Sequence, residues 1–313
     1  MPLSPARSRS SRAARRPARG PDGVLLVDKP PGWTSHDVVE RLRKVPGFHK
    51  TGHAGTLDPM ATGLLIVCVN EATKIARFLM EGDKEYAATV RLGVVTDTLD
   101  ATGRVLREGD WRGVTREDVE RALGAFLGMI DQVPPMYSAL KREGVPLYRL
   151  ARRGIEVART PRQIEITHLE LMLRDRERID FTVACSKGTY VRTLAADLGR
   201  ALGTVAHLER LRRTRVGAFA VEEALPLAAL ETVAADALPL LRVREVLAGY
   251  AAFPAPAGVL ARLRRGQQEP LSLLPPPRRA DETALVLDLA GEVAGVIEAA
   301  GATWRLVRLF ADS

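Results

Sequence analysis

One acidic residue stands where a single carboxylate could be presented for chemistry. Asp58 lies in residues 52–63, which are rich in Gly, His and Thr and follow no helix or strand period. Pro59 favours an extended backbone at Asp58, and Gly55 and Gly63 permit tight bends on either side. Such a loop can hold a nucleophilic carboxylate, although the spacing alone fits an ordinary turn before proline equally well.

Two more residues could assist that carboxylate. Arg192 stands at the start of a predicted helix, where the helix dipole favours an acid rather than a cation. A partner carboxylate would offset the unfavourable interaction of Arg192 with the helix dipole. A guanidinium beside Asp58 would in turn keep Asp58 ionised at neutral pH. Tyr86 lies in an alternating segment and, taken alone, is typical of a half-buried strand residue.

Basic side chains are concentrated in two segments that could contact phosphates. Residues 132–154 combine Pro-Pro, two tyrosines and several cations, which predicts an RNA-facing arm. Residues 210–215 contain four arginines in six positions, a pattern of either a phosphate-contacting strip or a solvated face. The candidate RNA-backbone contacts are Lys141, Arg142, Arg149, Arg152, Arg153, Arg212 and Arg213.

Composition indicates a globular protein with a charged tail. The chain has 313 residues, 46% hydrophobic and 27% charged, with a formal net charge of +8. Residues 1–19 hold six arginines and no acid, so residues 1–22 are predicted to be a disordered tail that either raises RNA affinity or is a dispensable extension. No apolar segment approaches the roughly 18 residues of a membrane span, and we expect a cytoplasmic protein.

The predicted elements leave the Asp58 segment as a loop between a helix and a strand. Turn, capping and periodicity signals place strands at 23–32, 64–69, 84–92, 162–174 and 178–185. Helices are expected from Ser35 to about residue 45, from Asn70 to about Met80, after Thr115, and after residue 192 as far as Gly203. The order is not a strict βαβ repeat, and no dinucleotide or P-loop motif is present.

Cysteine and histidine usage gives no reason to expect a metal. Cys68 and Cys185 lie in apolar runs typical of a core in a reducing compartment. His49 and His53 have the i, i+4 spacing of a ligand pair, but the glycines between and after them disfavour a helix and no third ligand is close. We therefore predict neither a metal nor a cofactor.

Taken together, the ordered motifs resemble the TruB family, which makes pseudouridine at position 55 in the T-loop of tRNA. The match runs in order over residues 23–220, and the chain beyond residue 250 resembles a PUA-type RNA-binding domain more weakly. The motifs are Val24-Leu-Leu-Val-Asp-Lys-Pro-Pro-Gly32, Gly52-His-Ala-Gly-Thr-Leu-Asp-Pro59, Lys84-Glu-Tyr86, Gly93 with Thr96-Asp-Thr98, Gln132-Val-Pro-Pro-Met-Tyr-Ser-Ala-Leu-Lys141, Leu147-Tyr-Arg-Leu-Ala-Arg-Arg-Gly154, Gly188-Thr-Tyr-Val-Arg-Thr193 and Leu208-Glu-Arg-Leu-Arg-Arg-Thr214.

The resemblance implies a fold and a domain plan. The expected fold is α+β, with a mixed, largely antiparallel sheet flanked by helices, and a small β-rich PUA-like domain. The implied catalytic domain spans residues 23–248, with the arm at 132–154, and the PUA-like domain spans residues 249–313. Ala54 departs from the family, in which many members have a hydroxyl residue. The C-terminal unit is electrically balanced, with seven arginines and seven acids, so its charge gives no RNA signal.

The resemblance also implies site roles, with the T-arm of tRNA as partner and no membrane or obligate protein partner. Asp58 attacks the target uridine, either at the base or at the ribose, and Arg192 pairs with it. Tyr86 packs on the flipped base and is implicated in removing the C5 proton. His53 fills the gap left in the RNA loop, and Tyr190 and Leu211 line the pocket.

Three other functions remain open at this stage. A catalytically silent RNA-binding module could retain the same scaffold, and a guide-RNA-dependent synthase belongs to a related branch. A retaining glycosidase also uses carboxylate attack at a sugar, but it needs a second positioned acid. Asp28, Asp97 and Asp100 are available for that role, without motif support.

Overall fold

A computed structural model describes residues 20–230, 233–234 and 237–311. The predicted tail at residues 1–22 therefore lies outside the described residues except for its last three positions. The strands in chain order are β1 (Gly23–Lys29), β2 (Thr51–Ala54), β3 (Thr62–Val69), β4 (Lys84–Leu92), β5 (Val94–Thr96), β6 (Val105–Glu108), β7 (Gly128–Gln132), β8 (Lys141–Arg142), β9 (Val145–Pro146), β10 (Arg162–Asp175), β11 (Arg178–Cys185), β12 (Ala206–Val216), β13 (Phe219–Ala220), β14 (Leu225–Pro226), β15 (Ala251–Pro254), β16 (Thr283–Leu287), β17 (Val293–Ala300) and β18 (Thr303–Leu309).

The helices fall between these strands. They are α1 (Ser35–Leu42), α2 (Ala76–Met80), α3 (Arg116–Gly124), α4 (Leu147–Ala151), α5 (Val191–Ala201), α6 (Leu227–Leu230), α7 (Val243–Val246) and α8 (Ala257–Arg264). No helix among the described residues is both long and apolar enough to cross a membrane.

A mixed sheet of ten strands forms the centre of the molecule. Its order is β14-β1-β3-β12-β4-β11-β10-β7, with β2 paired to β3 and β13 paired to β12. Neighbours pair antiparallel except β1 with β14 and β3 with β12, which run parallel. The predicted fold class, a mixed and largely antiparallel sheet flanked by helices, is confirmed.

Both faces of the sheet are covered around β3, which explains why this strand is apolar from Leu64 to Val69. Side chains alternate between the two faces of a strand. In β3, Leu65 and Val67 join a core with α1, α3 and α5, whereas Leu64 and Ile66 join a second core with α2 and the C-terminal strands. A strand buried on both faces shows a continuous hydrophobic run rather than alternation.

Strands β15–β18 form a separate four-stranded sheet, in agreement with a β-rich unit from about residue 250. One of its faces packs on α8 in a small core of its own. Its other face carries Leu285 and Val296 into the same core as Val24 and Ile66 of the central sheet. The C-terminal sheet is therefore fixed to the central sheet by apolar contact.

Ser35 is not the cap of α1. Thr34 is the N-cap and shares a capping box with Asp37. The Oγ of Ser35 instead accepts a hydrogen bond from the Leu57 N–H at 2.8 Å and lies 3.2 Å from the Leu57 carbonyl, to which it donates. This serine thus connects the first helix to the loop that carries Asp58.

Asn70 is not a helix cap either. It adopts a positive φ of 50° at the start of a 3-10 helix, Asn70–Ile75, which precedes α2. Its side chain accepts hydrogen bonds from the N–H groups of His49 and Lys50 and donates to the carbonyls of Pro21 and Gly47. Asparagine tolerates this backbone region, and its amide can bond in both directions.

The segment expected to be a loop before β3 includes one short strand. Thr51–Ala54 forms β2 and pairs antiparallel with β3, placing His53 opposite Val67. The capping box of Thr115 with Asp118 and the positive φ of Gly203 after α5 agree with the predictions. The two cysteines are buried and free, as expected of core residues.

We predict that Asn70→Ala lowers the free energy of unfolding by about 2–4 kcal/mol, because it removes four hydrogen bonds and strains a positive φ. Asn70→Gly removes the hydrogen bonds without the steric strain and serves as the control. Denaturant unfolding of the native protein, Asn70→Ala and Asn70→Gly measures the contribution of the hydrogen bonds and that of the backbone strain. Equal stability of Asn70→Ala and the native protein would contradict the role given to this side chain.

Candidate active site

Asp58 is presented by a tight loop, residues 55–61, between β2 and β3. A turn closes the loop, with the Ala61 N–H bonded to the Asp58 carbonyl at 3.1 Å. Gly55 and Gly63 both have positive φ, 100° and 97°. A Cβ atom on Gly63 would lie 2.2 Å from the carbonyl oxygen of Arg213 on β12. The glycines therefore provide the bends that the sequence pattern indicated, and Gly63 also permits close strand packing.

The structure brings Asp58 and Arg192 together. The Arg192 Nε lies 2.8 Å from Asp58 Oδ2, and Nη2 donates to Oδ1 at 3.0 Å. Arg192 is the second residue of α5, and its side chain is 5% exposed, compared with 30% for Asp58. This two-point contact orients the carboxylate while leaving part of it accessible.

Arg192 also connects two other segments to the site. Its guanidinium donates to the Thr98 carbonyl at 3.1 Å and to the Tyr137 carbonyl at 2.9 Å. The buried Asp100 lies 3.8 Å from Arg192 Nε, and Thr98 and Thr102 donate to its carboxylate. The turn after β5 and the arm after β7 are thus connected to Asp58 through one guanidinium.

The charges around Asp58 act in opposite directions. Burial raises the pKa of Asp58 above its ordinary value, the Arg192 guanidinium lowers that pKa, and the Asp100 charge raises it. Arg192 is therefore the group that most favours the anionic form of this carboxyl. The sequence offered Asp100 only as a second acid for a glycosidase, because its distance from Arg192 is not a local property.

Tyr86, the second candidate, lies on β4 directly opposite Arg213 of β12. Its ring is buried in the same core as Leu211 and Ala88. Burial raises the pKa of Tyr86, the Arg213 guanidinium lowers it, and the Asp58 charge raises it. The phenol is therefore close enough to both Asp58 and Arg213 for their charges to affect its ionisation.

The three candidate pocket residues occupy different elements. Tyr190 is the N-cap of α5, and the buried side chain of Gln132 bonds both to its N–H, at 2.8 Å, and to its carbonyl, at 3.1 Å. Leu211 is buried on β12. His53 lies on β2, burial lowers its pKa, and its buried Nδ1 has no hydrogen-bond partner among the described residues.

The five basic residues of the arm are exposed, as a phosphate-contacting role requires. The arm contains a small hairpin of β8 and β9 followed by α4. Arg142 donates to the Ala158 carbonyl at 2.9 Å, and the Arg152 guanidinium lies 5.5 Å from the centre of the Tyr148 ring. The exposed basic residues are Lys141, Arg142, Arg149, Arg152 and Arg153.

The two arginines of β12 differ from the arm residues. Arg212 forms a two-point ion pair with Asp28, at 3.0 and 2.8 Å, and remains partly exposed. Arg213 is only 1% exposed. In this conformation Arg213, which was predicted to contact the RNA backbone, is therefore inaccessible to RNA, whereas Arg212 is partly accessible because successive side chains of β12 point to opposite faces of the sheet.

Lys29 is a further site residue that sequence reasoning did not single out. It is fully buried, and its Nζ donates to the carbonyls of Trp33 at 2.7 Å, Pro30 at 3.0 Å and Pro59 at 3.3 Å. Burial lowers its pKa to about 8, against the opposing effect of Asp58. Its place in the Asp-Lys-Pro-Pro-Gly motif was visible, but its contact with the Asp58 loop was not.

Solved structures share this fold. The chain superposes on "Crystal Structure of a Cbf5-Nop10-Gar1 Complex" with a TM-score of 0.69 and 24% identity, over 92% of this chain and 85% of that one. A second match is "Crystal structure of the archaeal box H/ACA sRNP Nop10-Cbf5 complex", with a TM-score of 0.68 and 22% identity, over 92% and 86%. These likenesses show that the overall fold is shared.

Sequence comparison gives the family. The profile "TruB family pseudouridylate synthase (N terminal domain)" matches residues 43–191, and "tRNA pseudouridylate synthase B C-terminal domain" matches residues 192–247. The protein named tRNA pseudouridine synthase B from Aromatoleum aromaticum is 50% identical over 243 residues, 77% of this chain and 79% of the relative. Its namesake from Bordetella pertussis is 48% identical over 238 residues, 75% and 98%. The chain belongs to the TruB family of pseudouridylate synthases.

We predict that Arg192→Gln moves the acid limb of the kcat/KM profile to higher pH. Removing the cation takes away the influence that lowers the pKa of Asp58, so the reactive anion is lost at a higher pH as the solution is acidified. Rate measurements from pH 5 to 9 test this, with Arg200→Gln, an exposed residue of the same helix, as the control. An unshifted acid limb would show that Arg192 does not set the ionisation of Asp58.

Proposed function

We propose that this protein isomerises uridine to pseudouridine at position 55 in the T-loop of tRNA, by extrusion of the nucleotide and attack of Asp58. Its membership of the TruB family makes it a tRNA pseudouridine synthase. The position within tRNA, the extrusion step and the attacking residue are the proposed parts. The supporting observation is the partly accessible Asp58 carboxylate held by the buried Arg192 guanidinium.

The reaction suits a site built around one carboxylate. The base separates from its ribose, rotates and rejoins through carbon, so composition and redox state are unchanged and no cofactor is needed. Attack at either the base or the ribose requires an ionised nucleophile. Arg192 supplies the charge that maintains this anion, and Lys29 adds a second cation beneath the loop.

The target base must leave the folded RNA loop to reach Asp58, at a cost of a few kcal/mol. In this proposal the Tyr86 ring packs on the extruded base and its phenolate form accepts the C5 proton, becoming the neutral phenol, while Tyr190 and Leu211 form the pocket walls. His53 enters the space that the base vacates. Its unpartnered Nδ1 and partial exposure suit a side chain that gains a partner when RNA binds.

RNA affinity is assigned to the arm. Its five exposed cations provide a phosphate-binding surface next to Tyr137, whose carbonyl bonds to Arg192. The same bond offers a way for contact with RNA to act on the site. The sheet β15–β18 is proposed as a PUA-like unit that adds RNA contacts, following the domain division at residues 248 and 249.

The other functions have less support. For a glycosidase, Asp28 is occupied by Arg212 and Asp97 accepts the Arg104 N–H, while Asp100 is bonded by Thr98 and Thr102. Among the described acids named for that role, none is therefore a free second carboxylate. A guide-dependent synthase requires an RNA and protein assembly, whereas we propose that this chain acts alone, in the cytoplasm where tRNA is modified.

One experiment tests the function as a whole. Purified protein is incubated with unmodified tRNA, and pseudouridine is mapped before and after incubation. A new pseudouridine at position 55, and at no other position, supports the proposal. Tight binding without product would favour the silent RNA-binding module, and activity only with an added guide RNA would favour the guide-dependent type.

We predict that Asp58→Asn abolishes turnover and leaves tRNA affinity within about tenfold, a change of roughly 1.4 kcal/mol, because the substitution removes charge rather than shape. Single-turnover rates and filter binding measure the two quantities. Turnover near that of the native protein would refute Asp58 as nucleophile.

We predict that deleting residues 1–19 flattens the salt dependence of tRNA binding and leaves the rate at saturating enzyme unchanged. The plot of log K against log salt has a negative slope, and each lost phosphate contact reduces the magnitude of that slope by about 0.7–0.9. A chain in which the six arginines are replaced by serine is the matched control for tail length. An unchanged slope in both variants would show that the tail makes no ionic contact with RNA.

A further inference from the structure

A second guanidinium lies behind the Asp58 loop and is not explained by RNA binding. Arg213 is buried between two strands that border the site, opposite Gly63 of β3 and Tyr86 of β4. A buried cation costs free energy unless polar groups replace its water. Its hydrogen-bond acceptors on the loop and on β3 are backbone carbonyls rather than carboxylates.

Two of these carbonyls lie on the β2 side of the Asp58 loop, and the third lies in β3, which follows the loop. Nη2 donates to Gly55 at 3.1 Å, Nη1 donates to Thr56 at 3.4 Å, and Nε donates to Leu64 at 2.7 Å. If the loop moved away, the guanidinium would be left buried with fewer partners, which is unfavourable. The charge therefore opposes displacement of the loop.

The other parts of the loop are held from different directions. Ser35 bonds to both backbone groups of Leu57, and Lys29 and the Gly32 N–H bond to the Pro59 carbonyl. Asp58 lies between these two anchored residues. Arg213 supplies the anchor on the β2 side of the loop, where Ser35 and Lys29 do not reach.

Arg213 also acts on the second candidate group. Sheet pairing places Tyr86 directly opposite Arg213, and among the charges around the phenol the Arg213 guanidinium is the one that lowers the pKa of Tyr86 most. A single rigid fork thus holds the loop that bears the carboxylate, and its residue pairs with the tyrosine on the neighbouring strand.

We propose that Arg213 is a positioning residue of the isomerisation, which fixes the Asp58 loop and the Tyr86 phenol relative to each other. This inference rests on the proposed function, in which Asp58 attacks and Tyr86 receives the proton. A displacement of reacting groups by about 1 Å can cost on the order of a hundredfold in rate. Loss of Arg213 is therefore expected to slow the chemical step and to leave the binding of tRNA largely unchanged.

The test uses Arg213→Gln with Arg178→Gln as the matched control, since Arg178 is an exposed arginine of β11 paired with Glu209. Single-turnover rates at saturating enzyme and dissociation constants for unmodified tRNA are measured, and thermal unfolding reports the folded fraction. We expect Arg213→Gln to lose on the order of a hundredfold in rate per folded molecule, with affinity within about threefold. We expect Arg178→Gln to keep the single-turnover rate and the tRNA affinity of the native protein.

A rescue experiment separates positioning from a general effect on folding. Arg213→Ala leaves space for a small cation, and added guanidinium at concentrations below those that unfold the protein is expected to restore part of the rate. Guanidinium should not raise the rate of Arg178→Gln. If the glutamine and alanine variants do not fold, Arg213→Lys, which keeps the charge but not the fork, is expected to lose at least about tenfold in rate.

Two results would overturn the inference. One is a rate per folded molecule within about threefold of the native protein in Arg213→Gln, or in Arg213→Lys if that variant replaces it. The other is a loss of rate matched by an equal loss of tRNA affinity. Failure of the native protein to form pseudouridine would instead refute the proposed function, so the two failures are distinguishable.

Discussion

The Asp58 carboxylate and the Arg192 guanidinium form an ion pair in the candidate site, and the charge of each would be unfavourable in its surroundings without the other. Arg192 is a buried cation at the positive end of a helix, and Asp58 is a carboxyl group whose burial opposes ionisation. Each compensates the other's unfavourable surroundings. The pair is therefore both a structural junction and the source of the anion that the proposed mechanism uses.

The fold brings together four parts of the chain at this pair. Arg192 lies at the start of α5. Its guanidinium contacts the Asp58 loop, the turn after β5 and the arm after β7. Sheet pairing places β12 and β4 behind the loop, so that Arg213 and Tyr86 are opposite each other. The arm joins the site through the Tyr137 carbonyl, which connects the proposed RNA-facing surface to the Asp58–Arg192 pair.

Much of the fold was predictable because the signals are local. Alternation of β4, the capping box at Thr115 and the stop at Gly203 depend on residues close in sequence and agree with the structure. Ser35 and Asn70 were misassigned as caps because capping and long-range bonding use the same side-chain groups. Their true partners, Leu57 and the 47–50 segment, lie 20 or more residues away in sequence.

The sequence by itself determined β1, β3, β4, β10 and β11, the main helices between them, the bends around Asp58 and, through its ordered motifs, the TruB family. Those features depend on neighbouring residues or on a pattern that can be matched along the chain. Only the tertiary structure decided that Asp100 accompanies Arg192, that Lys29 supports Pro59, and that Arg213 is buried while Arg212 is not. Register and the covering of each sheet face set the surroundings of a side chain, and neither is encoded by the side chain alone.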